Sequence, residues 1–310
     1  MHKVLADKVQ EQLDQQIYPG ASLALYREGQ WQEFYVGWAD PDRELATQPG
    51  LIYDLASVSK VLGVGTLVLQ ALKEGILDLE DPIQSQLPDF RHAHLRILDL
   101  LTHTSGLDPY IPNRDSLDRA GLTQAMLQLE LGPDKRYLYS DVNYILLGFY
   151  LEALFGKSLE ELITARICGP LNLTHTTYGP CPGAVPTVRG THTGQVHDPK
   201  AQVLGSHTGS AGLFSTIPDL ERYLESQLLD PSVYLDQVHG SDPANPRSLA
   251  WRREGDWLDH TGYTGTFLLF NRKRQEAAIF LANRTYWQDQ RAKWIQDRNE
   301  LMDLIRQGKF

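Results

Sequence analysis

Ser57 and Lys60 stand three positions apart at the mouth of an apolar run, VLGVGTLVLQALKEGIL, that reads as a buried helix. Serine at a helix start has an ordinary explanation, since its side-chain oxygen can accept from the unpaired N–H groups of the first turn. Lysine there does not, because a cation at that end opposes the macrodipole and costs a few tenths of a kcal/mol at an exposed site. On a helix, positions i and i+3 share a face, so the amine of Lys60 can reach the hydroxyl of Ser57. Serine is a poor nucleophile by itself, and an amine that has lost its proton through desolvation can accept the hydroxyl proton. A chain of this length shows roughly one such SxxK pair by chance, so the pair alone specifies little. Ser59, between the two, is read as support for the turn.

The elements that must position this pair belong to an ordinary globular chain. Of its 310 residues 42% are hydrophobic and 22% charged, enough for a substantial core. The net charge of −10 disfavours nucleic acid or anionic lipid as a partner. The longest apolar run, residues 61 to 72, stops well short of the roughly 20 residues of a membrane span. The N-terminus is polar, with Val9, Leu13 and Ile17 at helical spacing, and lacks the apolar region of a signal peptide, so the expected location is cytoplasmic. Cys168 and Cys181 are expected to be ordinary thiols. No GxSxG or HExxH is present, and the GKS at Gly156 to Ser158 has Leu151 where a phosphate loop needs its first glycine. His103, His192, His197, His207 and His260 do not show metal-ligand spacing, so neither metal nor organic cofactor is expected.

ASLALYREGQWQEFYVGWAD, residues 21 to 40, alternates and turns at Glu28-Gly29 as a β-hairpin would, after an amphipathic helix. Residues 56 to 165 are mostly helical in pattern, with loops at HTSGLDPYIPNRD and LGPDKRYLYSD. SLAWRRE, TGTFLLFN and EAAIFLANRTY then read as three antiparallel strands, and a last helix places Trp287, Trp294, Ile295, Leu301, Met302 and Ile305 roughly on one face. Strand-rich ends around a helical middle predict an α+β fold of one domain, 1–310. Its α/β layer comes from about 1–60 and 205–310, and its helical subdomain from about 61–204.

Two later triplets extend the SxxK pair: YSD (Tyr139, Ser140, Asp141) and HTG (His260, Thr261, Gly262). In order and separation the three resemble the motifs of the serine β-lactamase and penicillin-binding-protein superfamily, and within it the class C β-lactamase and esterase-like branch. Segments such as LLTHTSGL, NYILLGFYLE, VHDPKA and GSAGLFST carry the likeness from about residue 17 to 285. The resemblance implies a β-lactamase/transpeptidase-like fold, an antiparallel sheet flanked by helices from both termini plus a helical subdomain. It implies that Ser57 is acylated, that Lys60 and Tyr139 share the base role, and that Asp141 holds Lys60 and substrate. The backbone N–H groups of Ser57 and Tyr263 would form the oxyanion hole, with His260, Thr261 and Gly262 binding substrate.

Two positions depart from the family pattern. His260 replaces a lysine and is mostly neutral at pH 7, which weakens carboxylate recognition and shifts the expectation toward esterase or peptidase-like activity. Asp141 replaces a neutral amide, which favours protonated Lys60 and leaves Tyr139 as the better candidate base. The expected function is a serine hydrolase acting through an acyl-enzyme on a small-molecule ester, peptide or β-lactam. It needs no cofactor, nucleic acid or membrane span. The alternative is a catalytically silent ligand-binding or sensor module on the same fold.

Overall fold

The computed structural model describes residues 3–132, 137–240 and 242–309; residues 133–136 of the second predicted loop lie outside them. After the helix Lys3–Asp14, the strands are β1 (Gly20–Arg27), β2 (Gln30–Asp40), β3 (Leu45–Ala46), β4 (Tyr53–Asp54), β5 (Thr177–Tyr178) and β6 (Leu213–Ser215). β7 (Arg247–Ser248), β8 (Trp251–Glu254), β9 (Trp257–Thr261), β10 (Phe267–Asn271) and β11 (Glu276–Ala282) follow. Eight of them make one antiparallel sheet in the order β3-β2-β1-β11-β10-β9-β8-β7. The predicted hairpin therefore lies beside the C-terminal strands, with Ala21 opposite Ala282 and Tyr26 opposite Ala277. Its turn places Glu28 at φ 54 and Gly29 at φ 81, the left-handed pair a two-residue hairpin turn requires.

Both faces of this sheet are covered, which is why β10 and β11 are buried at every position and read as continuous apolar runs. On one face the helices Lys3–Asp14 and Arg291–Arg306 pack Leu5, Val9, Trp294 and Met302 against Tyr18, Phe267 and Phe280. The last helix buries Trp294, Leu301, Met302 and Ile305, whereas Ile295 is exposed and Trp287 precedes the helix. On the other face lie the helices Thr66–Lys73 and Ile217–Leu228, with Asp141–Phe155 deeper in the same core.

The C-terminal meander has more strands than the sequence pattern suggests. SLAWRRE is a tight hairpin, with Leu249 at φ 51 between β7 and β8. β9 was hidden because Asp259, facing inward, is buried on the guanidiniums of Arg252 and Arg306 at 2.8 and 2.7 Å and breaks the apolar pattern. A second sheet, β4-β6-β5, has strands of two or three residues, too short for any periodic signal. Among the described residues no helix is long and apolar enough to cross a membrane.

Candidate active site

Ser57 stands on the turn that leaves β4. The preceding Ala56 has φ 46, a left-handed conformation that a residue with a side chain adopts reluctantly, so its surroundings must hold it. The Ala56 N–H donates to Asp54 Oδ1 at 2.8 Å, and Asp54 Oδ2 accepts from the His197 N–H at 2.8 Å. Burial raises the Asp54 carboxyl to about 6; the two amides offset this only in part, and Asp198 adds to it. Ser59 supports the turn, its Oγ accepting from the Leu213 N–H at 3.1 Å while the Leu55 N–H donates to Leu213 O at 2.9 Å.

The following segment is wound wider than an α-helix over Lys60–Gly65 and becomes α-helical at Thr66–Lys73. It passes close to its neighbours. A Cβ on Gly65 would stand 2.7 Å from Ala250 Cβ, and one on Gly63 would stand 2.9 Å from Ile163 Cδ1. The sequence placed Ser57 and Lys60 on one face, and they meet: Lys60 Nζ donates to Ser57 Oγ at 2.8 Å. The same ammonium donates to Asp141 Oδ1 at 2.7 Å and to Ser210 O at 2.9 Å. Lys60 is fully buried; burial opposes its charge, but the Asp141 carboxylate and then Tyr139 outweigh that and hold the amine above its ordinary range. Held protonated in this way, Lys60 has no lone pair to take the serine proton.

Asp141 opens the helix Asp141–Phe155 after Ser140, whose Oγ accepts from the Val142 N–H at 3.3 Å. Its second oxygen, Oδ2, pairs with Lys200 Nζ at 3.0 Å, and Lys200 pairs also with Asp198 at 3.2 Å. Burial would raise the Asp141 carboxyl, but the Lys60 and Lys200 ammoniums hold it well below the usual carboxylate range.

The half-exposed Tyr139 ring has its centroid 5.1 Å from Lys60 Nζ and 4.5 Å from the His103 ring. His103 grips the chain on both sides of Tyr139. Its carbonyl accepts from the Leu138 N–H at 2.9 Å, and its Nδ1 accepts from the Ser140 N–H at 3.2 Å. Burial, then Arg247 and Lys60, keep this imidazole well below its ordinary pKa, hence neutral. With Nδ1 accepting, the ring proton is assigned to Nε2.

The third triplet ends β9. His260 is buried, among the described residues neither ring nitrogen has a hydrogen-bond partner, and burial followed by Lys60 and Arg247 pushes its pKa well below 6.5. Thr261 Oγ1 accepts from Arg298 Nη1 at 3.1 Å. A Cβ on Gly262 would fall 2.5 Å from Leu55 O and 2.1 Å from Thr266 Oγ1, so glycine alone lets this strand end lie against the turn that carries Ser57. Thr264 and Thr266 complete the seam, donating from Oγ1 to Asp54 O at 2.8 Å and Leu55 O at 3.0 Å. Among the described residues the Tyr263 amide has no backbone acceptor. The Tyr263 hydroxyl donates to Asp289, its ring stacks on His197 at 5.5 Å, and Arg284 lies over it at 4.5 Å.

Ser57, Tyr139, Asp141, Lys200, Tyr263, Arg114 and Arg291 line one cleft of about 520 Å³, while His260, Thr261 and Gly262 are not on its wall. Among the described residues no cluster of His, Cys, Asp and Glu could hold a metal ion. Sequence reasoning passed over Asp54, His103 and Lys200. For Lys200 no local signal exists, because its meaning depends on the fold bringing residue 200 beside Asp141.

The sequence pattern of the β-lactamase family matches residues 5–301. The chain belongs to the β-lactamase family. It is a serine hydrolase of that family. Among curated relatives, the protein named "Putative D-alanyl-D-alanine carboxypeptidase" of Escherichia coli (strain K12) is 28% identical over 87% of this chain and 79% of its own length. The β-lactamase from Sulfitobacter sp. EE-36 superposes with a TM-score of 0.80 at 19% identity, covering 98% of this chain and 97% of that one. The β-lactamase/D-alanine carboxypeptidase from Pseudomonas syringae gives 0.76 at 17% identity, over 96% and 98%.

Proposed function

We propose that Ser57 is the nucleophile of an acyl-enzyme hydrolase and that Tyr139, not Lys60, is its base. One observation carries this: the buried Lys60 amine rests on the Asp141 carboxylate at 2.7 Å, which keeps it protonated and without a lone pair for the serine proton. Ser57 Oγ attacks the substrate carbonyl and passes its proton to the phenolate form of Tyr139, while the Lys60 ammonium stabilises the oxygen that loses it. The N–H groups of Ser57 and Tyr263 receive the developing oxyanion. Tyr139 returns the proton to the leaving group, then takes one from the water that cleaves the acyl-serine, regenerating Ser57.

The substrate class we favour is an amide, lactam or ester that bears a carboxylate near the scissile bond. Two cations on the cleft wall, Arg114 and Arg291, support this, and they supply a charge that neutral His260 does not. The names of the relatives above support a peptide ending in D-alanine as the first candidate. Two buried free thiols, Cys168 and Cys181, support a cytoplasmic location.

A fluorophosphonate tests the nucleophile. Intact mass should rise by one phosphonyl group on the native protein and not on Ser57→Ala, and labelling that persists in Ser57→Ala overturns the assignment. A panel of a short-chain ester, a cephalosporin and a D-Ala-D-Ala peptide tests the class, and equal kcat/KM for neutral and carboxylate-bearing substrates would remove the role of the arginines.

A further inference from the structure

The Asp141 carboxylate is shared. One oxygen holds the Lys60 ammonium at 2.7 Å and the other holds Lys200 at 3.0 Å. Lys200 comes from the first turn of the helix Pro199–Leu204, which is capped by Asp198 through the Ala201 N–H at 2.9 Å. The chain just before it is tied to the nucleophile turn, since Asp54 accepts from both the His197 and the Ala56 N–H groups. Ser57, Lys60, Asp141 and Lys200 thus form one hydrogen-bonded chain whose far end is anchored back at the residue preceding the serine. Lys200 itself lies on the cleft wall with its side chain 13% exposed.

We propose that Lys200 is a positioning residue of the hydrolase: it takes half of the Asp141 carboxylate, so that Lys60 keeps its contact with Ser57 instead of being drawn onto Asp141 alone. Lys60, Asp141 and Lys200 together carry one net positive charge. Removing Asp141's charge leaves two ammoniums facing each other, and removing Lys200's charge leaves Lys60 with an unshared carboxylate. Removing both returns the net charge to one. The other groups facing Lys60 are Tyr139 and Tyr144, whose ring centroids stand 5.1 and 5.9 Å from Nζ, and the imidazoles of His103 and His260; Lys200 faces Asp198 as well.

This inference rests on the hydrolase reading, and its test separates the two. The variants Asp141→Asn, Lys200→Met, the double substitution and Lys200→Arg are compared by kcat/KM against pH and by an NMR titration of the Lys60 ammonium. Each charge-removing single should lower kcat/KM about tenfold or more, the double should recover to within about threefold of native, and Lys200→Arg should stay close to native. The Lys60 midpoint should fall in Asp141→Asn, rise in Lys200→Met and return in the double. Losses that add, or a Lys60 midpoint unmoved by Lys200→Met, overturn the proposal while Ser57 labelling leaves the hydrolase intact. If the native protein neither labels nor turns over substrate, the hydrolase reading falls, and the Lys60 midpoints still decide whether the charge is shared.

Discussion

Asp54 offers a stability measurement whose sign and size follow from its surroundings. It is buried, among the described residues has no cation partner, and holds the two amides that shape the Ser57 turn and the loop before Lys200. Burial lifts its carboxyl from 3.8 to about 6. Between those values the folded protein binds a proton that the unfolded chain has released, so stability falls as pH rises through that window. A rise of about two pK units corresponds to about 3 kcal/mol of stability present at pH 4 and gone by pH 7. Asp54→Asn removes that dependence. Its amide can accept from one of the two N–H groups but turns a donor toward the other, at a cost of about 1–3 kcal/mol. The variant should therefore be clearly less stable than native at pH 4 and close to native at pH 7. Urea unfolding of both proteins at half-unit steps from pH 4 to 7 gives the difference directly. A stability difference that stays flat across those pH values would refute the reasoning, because Asp54 would then be ionised in the folded state at the same pH as in the unfolded one.

Other substitutions probe the site from its edges. Gly262→Ala places a methyl 2.5 Å from Leu55 O, so the strand end must move off the Ser57 turn; with the Tyr263 amide displaced, kcat should fall about 100-fold while far-ultraviolet circular dichroism stays native. His103→Phe keeps a ring against Tyr139 but removes the acceptor for the Ser140 N–H, and should cost about 1–3 kcal/mol in denaturant unfolding and lower kcat more than it raises KM. Asp141, held low by its two ammoniums, contributes stability that is present above pH 4 and lost as pH falls through its folded value; Asp141→Asn should flatten the native protein's acid unfolding limb below pH 4.

Much of this architecture was legible because it rests on local pattern. The hairpin of residues 21 to 40 alternates and carries its own turn residues, and the runs of β10 and β11 are long enough to be read as strands. The i, i+3 spacing of Ser57 and Lys60 survived even though the segment is wound wider than an α-helix from Lys60 onward. What escaped leaves no local pattern to read. β4, β5 and β6 are too short to show a period, and β9 hides an inward aspartate that only its distant arginine partners make acceptable.

Lys200 is the clearest case of a residue whose meaning is not local. Taken alone, Asp141 is a departure that changes the charge beside Lys60, and the expectation that Lys60 would be protonated followed from it. The structure makes that departure half of a pair: the extra negative charge at Asp141 is met by the Lys200 ammonium, which also contacts Asp198 at 3.2 Å. An electrostatic requirement of this kind fixes a sum and a distance, not a sequence position. Any cation delivered to that side of Asp141 would satisfy it, so it becomes legible only once the fold has brought residues 141 and 200 together.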